Sequence, residues 1–271
     1  MAVRESSQGP VWRLRTPRSA LMLWAGWLAA VALTVWCWQV MTETTIWAFV
    51  YDAPRQAADI GARMVPPRVA YLSELWRPLW DTLNIATLGT VIGVVIATPI
   101  AFLAARNTTP SATLLRPIAL FIIVASRSIN SLIWALLLVS IVGPGLLAGV
   151  IAIALRSIGF VGKLLYEAIE ETEAAQIEAI QATGASGPQV LNYGIWPQVA
   201  PAFWAISVFR WDINIRESTV LGLVGAGGIG VQLQNSLNML AWPQVSVILL
   251  LILATVLVSE WVSAKVRTAI I

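Results

Sequence analysis

The chain has 271 residues, of which 58% are apolar and only 11% are charged, a balance that excludes an ordinary soluble globular protein. It has no histidine and one cysteine, Cys37, so a disulfide framework, a histidine-based metal site and a Ser-His catalytic triad are excluded as well. The net charge of +3 does not indicate nucleic-acid binding, because the most concentrated basic stretch directly precedes an apolar segment and is typical of a membrane-topology signal.

Six apolar stretches are long enough to cross a hydrocarbon core about 30 Å thick, which needs roughly 20 helical residues. They cover residues 20–41, 80–105, 117–142, 145–165, 199–221 and 242–264. Because Lys and Arg stay on the cytoplasmic side, the basic amino-terminal tail and an even number of crossings place both termini in the cytoplasm. Lys265 and Arg267 agree with this orientation. The sequence therefore predicts an all-α, polytopic protein of the lipid bilayer with about six transmembrane helices.

We expect two parts along the chain. Residues 1–79 comprise a cytoplasmic tail, the first membrane helix and an external segment (residues 42–79) that contains the Pro66-Pro67 pair. Residues 80–271 form the main membrane domain. We find no convincing internal repeat, which weakly disfavours a secondary transporter.

A long cytoplasmic loop is predicted near residues 166–197, between the fourth and fifth crossings. Residues 170–183 are rich in Ala, Glu and Gln, which favour a short surface helix, and Gly184 is a suitable residue to end it. Residues 189–193 can form a second short helix, and Pro197 begins the next crossing. The loop is thus expected to be a helix-turn-helix across the membrane face.

This loop resembles the motif of the permease subunits of bacterial binding-protein-dependent ABC importers, in which Glu-Ala-Ala is followed by Gly and later by Leu-Pro. The residues at the family spacing are Glu178, Ala179, Gly184 and Pro197, and those that depart from the motif are Ile180, Gly194 and Trp196. A small-residue helix with a glycine stop can seat in a groove of another protein. The resemblance assigns the loop to coupling with an ATPase, and the alternative is an ordinary solvated amphipathic helix.

A narrower resemblance comes from the block Arg210–Gly230, and from Arg127–Asn130 followed by an apolar helix and Gly143-Pro-Gly145. Together these look like the permeases of phosphonate importers, over a range from about residue 80 to the carboxyl terminus. The resemblance implies a type I ABC importer permease fold in the bacterial inner membrane. It also implies a homodimer, two cytoplasmic ATP-binding subunits and an extracytoplasmic substrate-binding protein.

The function implied is the translocation pathway for phosphonates or related phosphorus oxyanions such as phosphite and phosphate esters. The chain is expected not to be an enzyme and to hold no cofactor of its own, with ATP and Mg bound by the partner ATPase. An ATP-independent secondary transporter or channel for small anions is the alternative.

A charged residue within a predicted crossing costs roughly 2.5–3.5 kcal/mol and marks a partner or a polar pathway. The candidates are Arg127, Arg156, Arg210, Asp212, Arg216 and Glu217. The spacing of Asp212 and Arg216 favours a local ion pair. Arg210, Asn214 and Glu217 share one helical face, and a continuous third crossing puts Arg127, Asn130 and Trp134 on another.

Polar stripes of this kind can line a water-filled route, and arginine donates paired hydrogen bonds to phosphoryl oxygens. The candidates for a pathway or gate are Arg127, Asn130, Arg210, Asn214, Arg216 and Glu217. Buried packing is the alternative for Arg127 and Arg210.

Two nucleotide-binding motifs are rejected. Residues 225–230 match G-x-G-x-x-G, but a dinucleotide site also needs a preceding strand, a following helix in a βαβ unit and a later acid. The four glycines, Gly225, Gly227, Gly228 and Gly230, instead predict a tight bend at the outer membrane face. Around Gly162-Lys163 the P-loop pattern fails on both sides, so energy for active transport must come from a partner.

Overall fold

A computed structural model describes residues 2–6, 9–13 and 17–270 of the chain. Two short strands, Ala2–Ser6 (β1) and Gly9–Arg13 (β2), pair antiparallel, and every other regular element in the described part is helical. The all-α class is confirmed. The chain divides into two compact units, Met1–Asp59 and Ile60–Ile271, and the functional division placed at residue 79 stays a prediction.

The amino-terminal helices differ in character. Helix α1 (Pro17–Thr44) is long and apolar. Helix α2 (Trp47–Arg63) is amphipathic, since its polar residues recur at intervals of three and four and share one face. These residues are Asp52, Arg55, Gln56, Asp59 and Arg63. Such a pattern is typical of a helix lying in a membrane interface.

The rest of the chain is helical with short connections. A 3₁₀ turn (Val69–Tyr71) leads into the next helices, and a π-helical turn (Leu191–Ile195) joins the eighth to the ninth. The helices are α3 (Leu72–Ala104), α4 (Leu115–Ser128), α5 (Ser131–Val142), α6 (Leu146–Glu170), α7 (Ala174–Ala182), α8 (Gly187–Val190), α9 (Trp196–Gly222), α10 (Ile229–Asn238) and α11 (Trp242–Ile270).

Helices occupy all six predicted crossing positions. In the described part, four helices are long and apolar enough to cross a membrane: Arg18–Thr44, Val69–Ala104, Leu146–Glu170 and Trp242–Ala269. A bent pair, α4 with α5, makes a fifth when counted as one span. Helix α9 has 27 residues, enough to span at 1.5 Å per residue, but its four charged residues set it apart from the apolar helices.

The third crossing departs from the prediction, because α4 and α5 meet at 87° instead of forming one straight helix. Helix α4 ends at Ser128, and Asn130 begins α5 as its N-cap, with Oδ1 accepting a hydrogen bond from the Leu132 backbone N–H at 3.1 Å. The predicted common face of Arg127, Asn130 and Trp134 is therefore wrong, since it required one continuous helix.

Close packing of α3 against α6 positions the central side chains. Small residues recur every four positions on α3, at Gly89, Gly93, Ala97 and Ala101, and all four are buried. A Cβ added to Gly89 would lie 2.6 Å from Ile153, and one added to Gly93 would lie 2.5 Å from the Cβ of Ser157. The two backbones approach closely because the seam lacks side chains, as is common between membrane helices.

Candidate functional site

A buried polar cluster lies where α3, α6 and α9 meet. Asn214 on α9 donates from Nδ2 to Thr90 Oγ1 on α3 at 2.7 Å and to Ser157 Oγ on α6 at 3.1 Å. Arg210 donates from Nε to the same Ser157 oxygen at 3.0 Å. Ser157 therefore holds two side chains of α9 in place, and all four residues are buried.

Arg210 is enclosed by its partners. Its side chain is 1% exposed, its guanidinium lies 3.4 Å from Glu217 Oε2, and its Cζ lies 5.1 Å from the centre of the Phe160 ring. The ring face adds a cation–π attraction to the ion pair. In this conformation the geometry favours packing over solute contact for Arg210, and its assignment to the pathway stays a prediction.

Glu217 is shared between two arginines. One of its oxygens lies 3.4 Å from Arg210 and the other lies 3.4 Å from Nε of Arg156 on α6. The spacing of Arg210, Asn214 and Glu217 on α9 places them on one face, and the structure brings all three to the same surface of α6.

Asp212 and Arg216 form the ion pair that their spacing predicts. Asp212 is buried, and its second oxygen accepts a hydrogen bond from Ser259 Oγ on α11 at 2.8 Å. Arg216 keeps 49% of its side chain exposed. The acid thus ties α9 to α11 while the arginine stays accessible.

Arg127 lies at the end of α4, against the backbone of α6. A Cβ on Gly159 would lie 2.7 Å from Arg127 Cγ, so the arginine stem occupies the space that this glycine leaves. The neighbouring Ser126 donates to the Leu155 carbonyl and accepts from the Gly159 N–H at 2.9 Å. This hydroxyl bridges one turn of α6 and fixes α4 to it.

An open cleft of about 290 Å³ lies beside this cluster, and we call it the arginine cleft. It is lined by Asn130, Ser131, Leu132, Arg156, Arg216, Glu217, Val220 and Leu221. Of the predicted pathway residues, the cleft brings together Asn130, Arg216 and Glu217. Arg210 and Asn214 are buried behind it, and Arg127 is not part of its lining.

Sequence reasoning missed three residues of this region. Arg156 is counted among the intramembrane charges but receives no site, and Thr90 and Ser157 receive no role at all. Each of the three comes from a helix other than α9. Spacing along one helix therefore gives no signal for them, and only the packing of α3, α6 and α9 brings them together.

The loop near residues 166–197 has the predicted helix-turn-helix form, and we call it the coupling loop after the role that the resemblance implies. Helix α7 ends at Ala182, and Gly184 follows with φ +80° while its N–H bonds to the Gln181 carbonyl at 3.0 Å. This left-handed conformation is the one that glycine adopts freely after a helix. Glu178 and Ala179 are exposed on α7, and Pro197 lies in the first turn of α9.

Two departures from the family motif face each other in this loop. A Cβ added to Gly194 would lie 3.6 Å from Ile180 Cδ1 and 3.7 Å from Ile177 Cα. The motif has a small residue where this chain has Ile180 and a large one where it has Gly194. The exchange of sizes therefore keeps the packing between α7 and the π-helical turn.

The base of the loop is anchored by polar contacts. The Glu173 N–H donates to Gln198 Oε1 at 2.9 Å, and Gln198 donates in turn to the Gly194 carbonyl at 2.7 Å. Glu170, at the end of α6, lies 3.6 Å from Arg116 and 3.9 Å from Arg106. The loop is thus fixed to the start of α9, to the first turn of α4 and to the connection that precedes it.

The glycine-rich segment forms a tight bend between α9 and α10. Gly225, Gly227 and Gly228 all have positive φ. A Cβ added to Gly230 would overlap both the Thr219 carbonyl oxygen and Gly222 at the end of α9. The Ile229 N–H donates to Thr82 Oγ1 on α3 at 2.7 Å. The bend is therefore clamped to α3, and its predicted place at the outer membrane face stays a prediction.

Residues 89–268 match the family described as binding-protein-dependent transport system inner membrane component. The chain belongs to this family. The matched range contains the polar cluster, the arginine cleft and the coupling loop, so these features lie in the part of this permease that the family defines.

Named relatives narrow the group. The chain is 42% identical over 233 residues to the phosphite transport system permease protein PtxC of Stutzerimonas stutzeri, covering 85% of this chain and 83% of that protein. It is 41% identical over 205 residues to the phosphate-import permease protein PhnE of Mycolicibacterium smegmatis, covering 76% of this chain and 38% of that protein. The predicted resemblance to phosphonate-type ABC permeases is confirmed, and the chain is a multi-pass transport subunit of the inner membrane.

Solved structures agree on the fold. A chain of the MetNI methionine ABC transporter in an inward-facing conformation superposes with a TM-score of 0.65 at 21% identity, covering 75% of this chain and 99% of that one. A chain of a bacterial alginate ABC transporter gives 0.56 at 16% identity, covering 88% and 98%. The type I ABC importer permease fold is confirmed.

Proposed function

We propose that this permease forms the translocation pathway of an ATP-driven importer for phosphorus oxyanions such as phosphite, phosphonates and phosphate. The charge around the polar cluster carries the proposal. Three arginines (156, 210 and 216) pair there with two acids (212 and 217), which leaves an excess of one positive charge in this group. Unpaired positive charge inside a membrane is costly, and a passing oxyanion would compensate it.

The names of the relatives, which refer to phosphite and phosphate, support the same class of cargo. Arginine suits it because the guanidinium donates two parallel hydrogen bonds to phosphoryl oxygens. Passage also requires release, so the pathway must bind weakly. We assign tight selection to an extracytoplasmic binding protein.

The proposal includes partners. It places both termini in the cytoplasm and comprises a homodimer of this chain, with two cytoplasmic subunits that bind ATP and Mg. The absence of a P-loop from the sequence means that hydrolysis must occur in another chain. The exposed Glu178 and Ala179 of the coupling loop offer a surface on which such a subunit could dock.

The test is uptake by vesicles that contain the permease with its partner ATPase and binding protein. We expect labelled phosphite, methylphosphonate or phosphate to accumulate only when ATP is present. A matched preparation contains the permease alone. Uptake by that preparation would favour an ATP-independent channel and overturn the proposal, as would a complete assembly that imports none of the three oxyanions.

A further inference from the structure

We propose that the arginine cleft is a transient oxyanion site in which Arg156 and Arg216 bind the anion and Glu217 competes with it. This inference rests on the proposed function and names the ligand groups of the pathway. The anion contacts Arg156, a residue that spacing along the sequence does not single out. It does not contact Arg210, because Arg210 is buried behind the cleft.

The two arginines have donors to spare. Among the described residues the Arg156 side chain makes no hydrogen bond, and its one ion pair joins Nε to Glu217 at 3.4 Å. Arg216 is paired with Asp212 through one Nη atom. Since a guanidinium carries five N–H donors, both can turn free donors toward an oxyanion, and their side chains are 30% and 49% exposed.

The α4–α5 break adds to the site. It places the amino end of α5, a helix of 12 residues, in the wall of the cleft through Asn130, Ser131 and Leu132. A helix amino terminus carries partial positive charge that favours an anion. The volume of about 290 Å³ accommodates a small tetrahedral oxyanion with several waters.

Glu217 explains how the site releases its ligand. Its carboxylate already occupies Arg156 and Arg210, so an incoming anion must compete with a fixed one that has the same charge-assisted chemistry. Binding is therefore weak by construction. When Glu217 takes Arg156 back, the anion leaves and each guanidinium of the cleft again has a carboxylate partner.

The same arginines could bind the phosphate of an anionic lipid, because this protein is surrounded by the lipid bilayer. We propose the free oxyanion as the ligand. The carboxylate of Glu217, which lines the cleft, opposes permanent occupation by a lipid phosphate. The experiment below separates the two sources by varying the lipid.

The test uses the assembled transporter in nanodiscs and in vesicles. The variants are Arg156→Gln, Arg216→Gln and Arg156→Lys, with Arg77→Gln as the matched control, because Arg77 is an exposed arginine of α3 outside the cleft. Binding of labelled phosphite is measured without the binding protein, in nanodiscs of phosphatidylcholine with and without phosphatidylglycerol. ATP-driven uptake is measured at saturating binding protein.

We expect Arg156→Gln and Arg216→Gln to weaken phosphite binding and lower maximal uptake about tenfold or more, since a bidentate charged contact is lost. Arg156→Lys should recover part of both, and Arg77→Gln should match the wild type. Two Gln variants that bind and transport like Arg77→Gln would overturn the site while leaving the proposed function standing. Arg156-dependent retention of phosphatidylglycerol without phosphite binding would overturn it in favour of lipid. A wild-type assembly that imports no phosphorus oxyanion would defeat the proposed function itself, and phosphite binding in nanodiscs would still decide the site.

Discussion

Ser157 is a small residue of α6 that connects this helix to α9 and packs against α3. Its hydroxyl accepts hydrogen bonds from both Arg210 and Asn214, and it lies at the seam where Gly93 lets α3 approach α6. Removing one hydroxyl therefore removes partners from a buried cation and a buried amide together. Such losses are expensive, because a buried polar group left unpaired costs its full desolvation.

We predict that Ser157→Ala lowers the free energy of unfolding of the purified permease by about 1–3 kcal/mol. The matched control is Ser218→Ala. Ser218 is also fully buried, but within the described part of the chain its hydroxyl donates only to the Ile215 carbonyl of its own helix. Thermal unfolding followed by tryptophan fluorescence measures both variants. Equal midpoints for the two variants would contradict the role given to Ser157.

At the scale of elements, the coupling loop depends on a size exchange between α7 and the π-helical turn. Gly194 lies in ordinary contact distance of Ile180 and Ile177, so a methyl group fits there but a branched side chain does not. The two departures from the family motif are therefore expected to be coupled energetically, as residues in direct contact usually are.

We predict that Gly194→Ile reduces ATP-dependent uptake severalfold, because the larger side chain pushes α7 away from the turn. Ile180→Ala should have a smaller effect, since it only leaves a gap, and the double variant should regain most of the wild-type rate. Gly187→Ala, at a position where a Cβ meets no described atom within 4 Å, serves as the control. Effects of the two substitutions that simply add would refute the coupling.

The same elements show which features a sequence predicts. The Asp212–Arg216 pair and the face shared by Arg210, Asn214 and Glu217 depend on spacing within one helix, and the structure contains both. The break before Asn130 interrupts an apolar stretch that has no glycine or proline at that point. The hydropathy pattern therefore predicts one continuous helix there. The one local signal of the break is an asparagine followed by a serine, residue types that favour helix starts.

At the scale of the whole molecule, the helices at the six predicted positions could be predicted because each apolar stretch is long enough on its own to form a membrane-length helix. The arginine cleft was not, because its walls come from α5, α6 and α9, and its formation depends on the angle at the α4–α5 break. The small-residue seam of α3 similarly acquires meaning only when α6 is placed against it. A site formed by several helices depends on tertiary packing, and residue spacing along the chain does not predict that packing.

We propose that the coupling loop acts as a lever that transmits closure of the ATPases to the helices around the pathway. Gly184 is its sharpest test. Its φ of +80° and its N–H bond to Gln181 are both incompatible with proline, which fixes φ near −65° and has no N–H. We predict that Gly184→Pro inserts into the membrane yet loses most ATP-dependent uptake, at least tenfold.

Gly184→Asn is the matched control, because asparagine tolerates the left-handed region, and it should retain most of the rate. Should the proline variant still bind the ATPase and import at the wild-type rate, the loop does not act as a lever, and the motion must reach the pathway through other contacts.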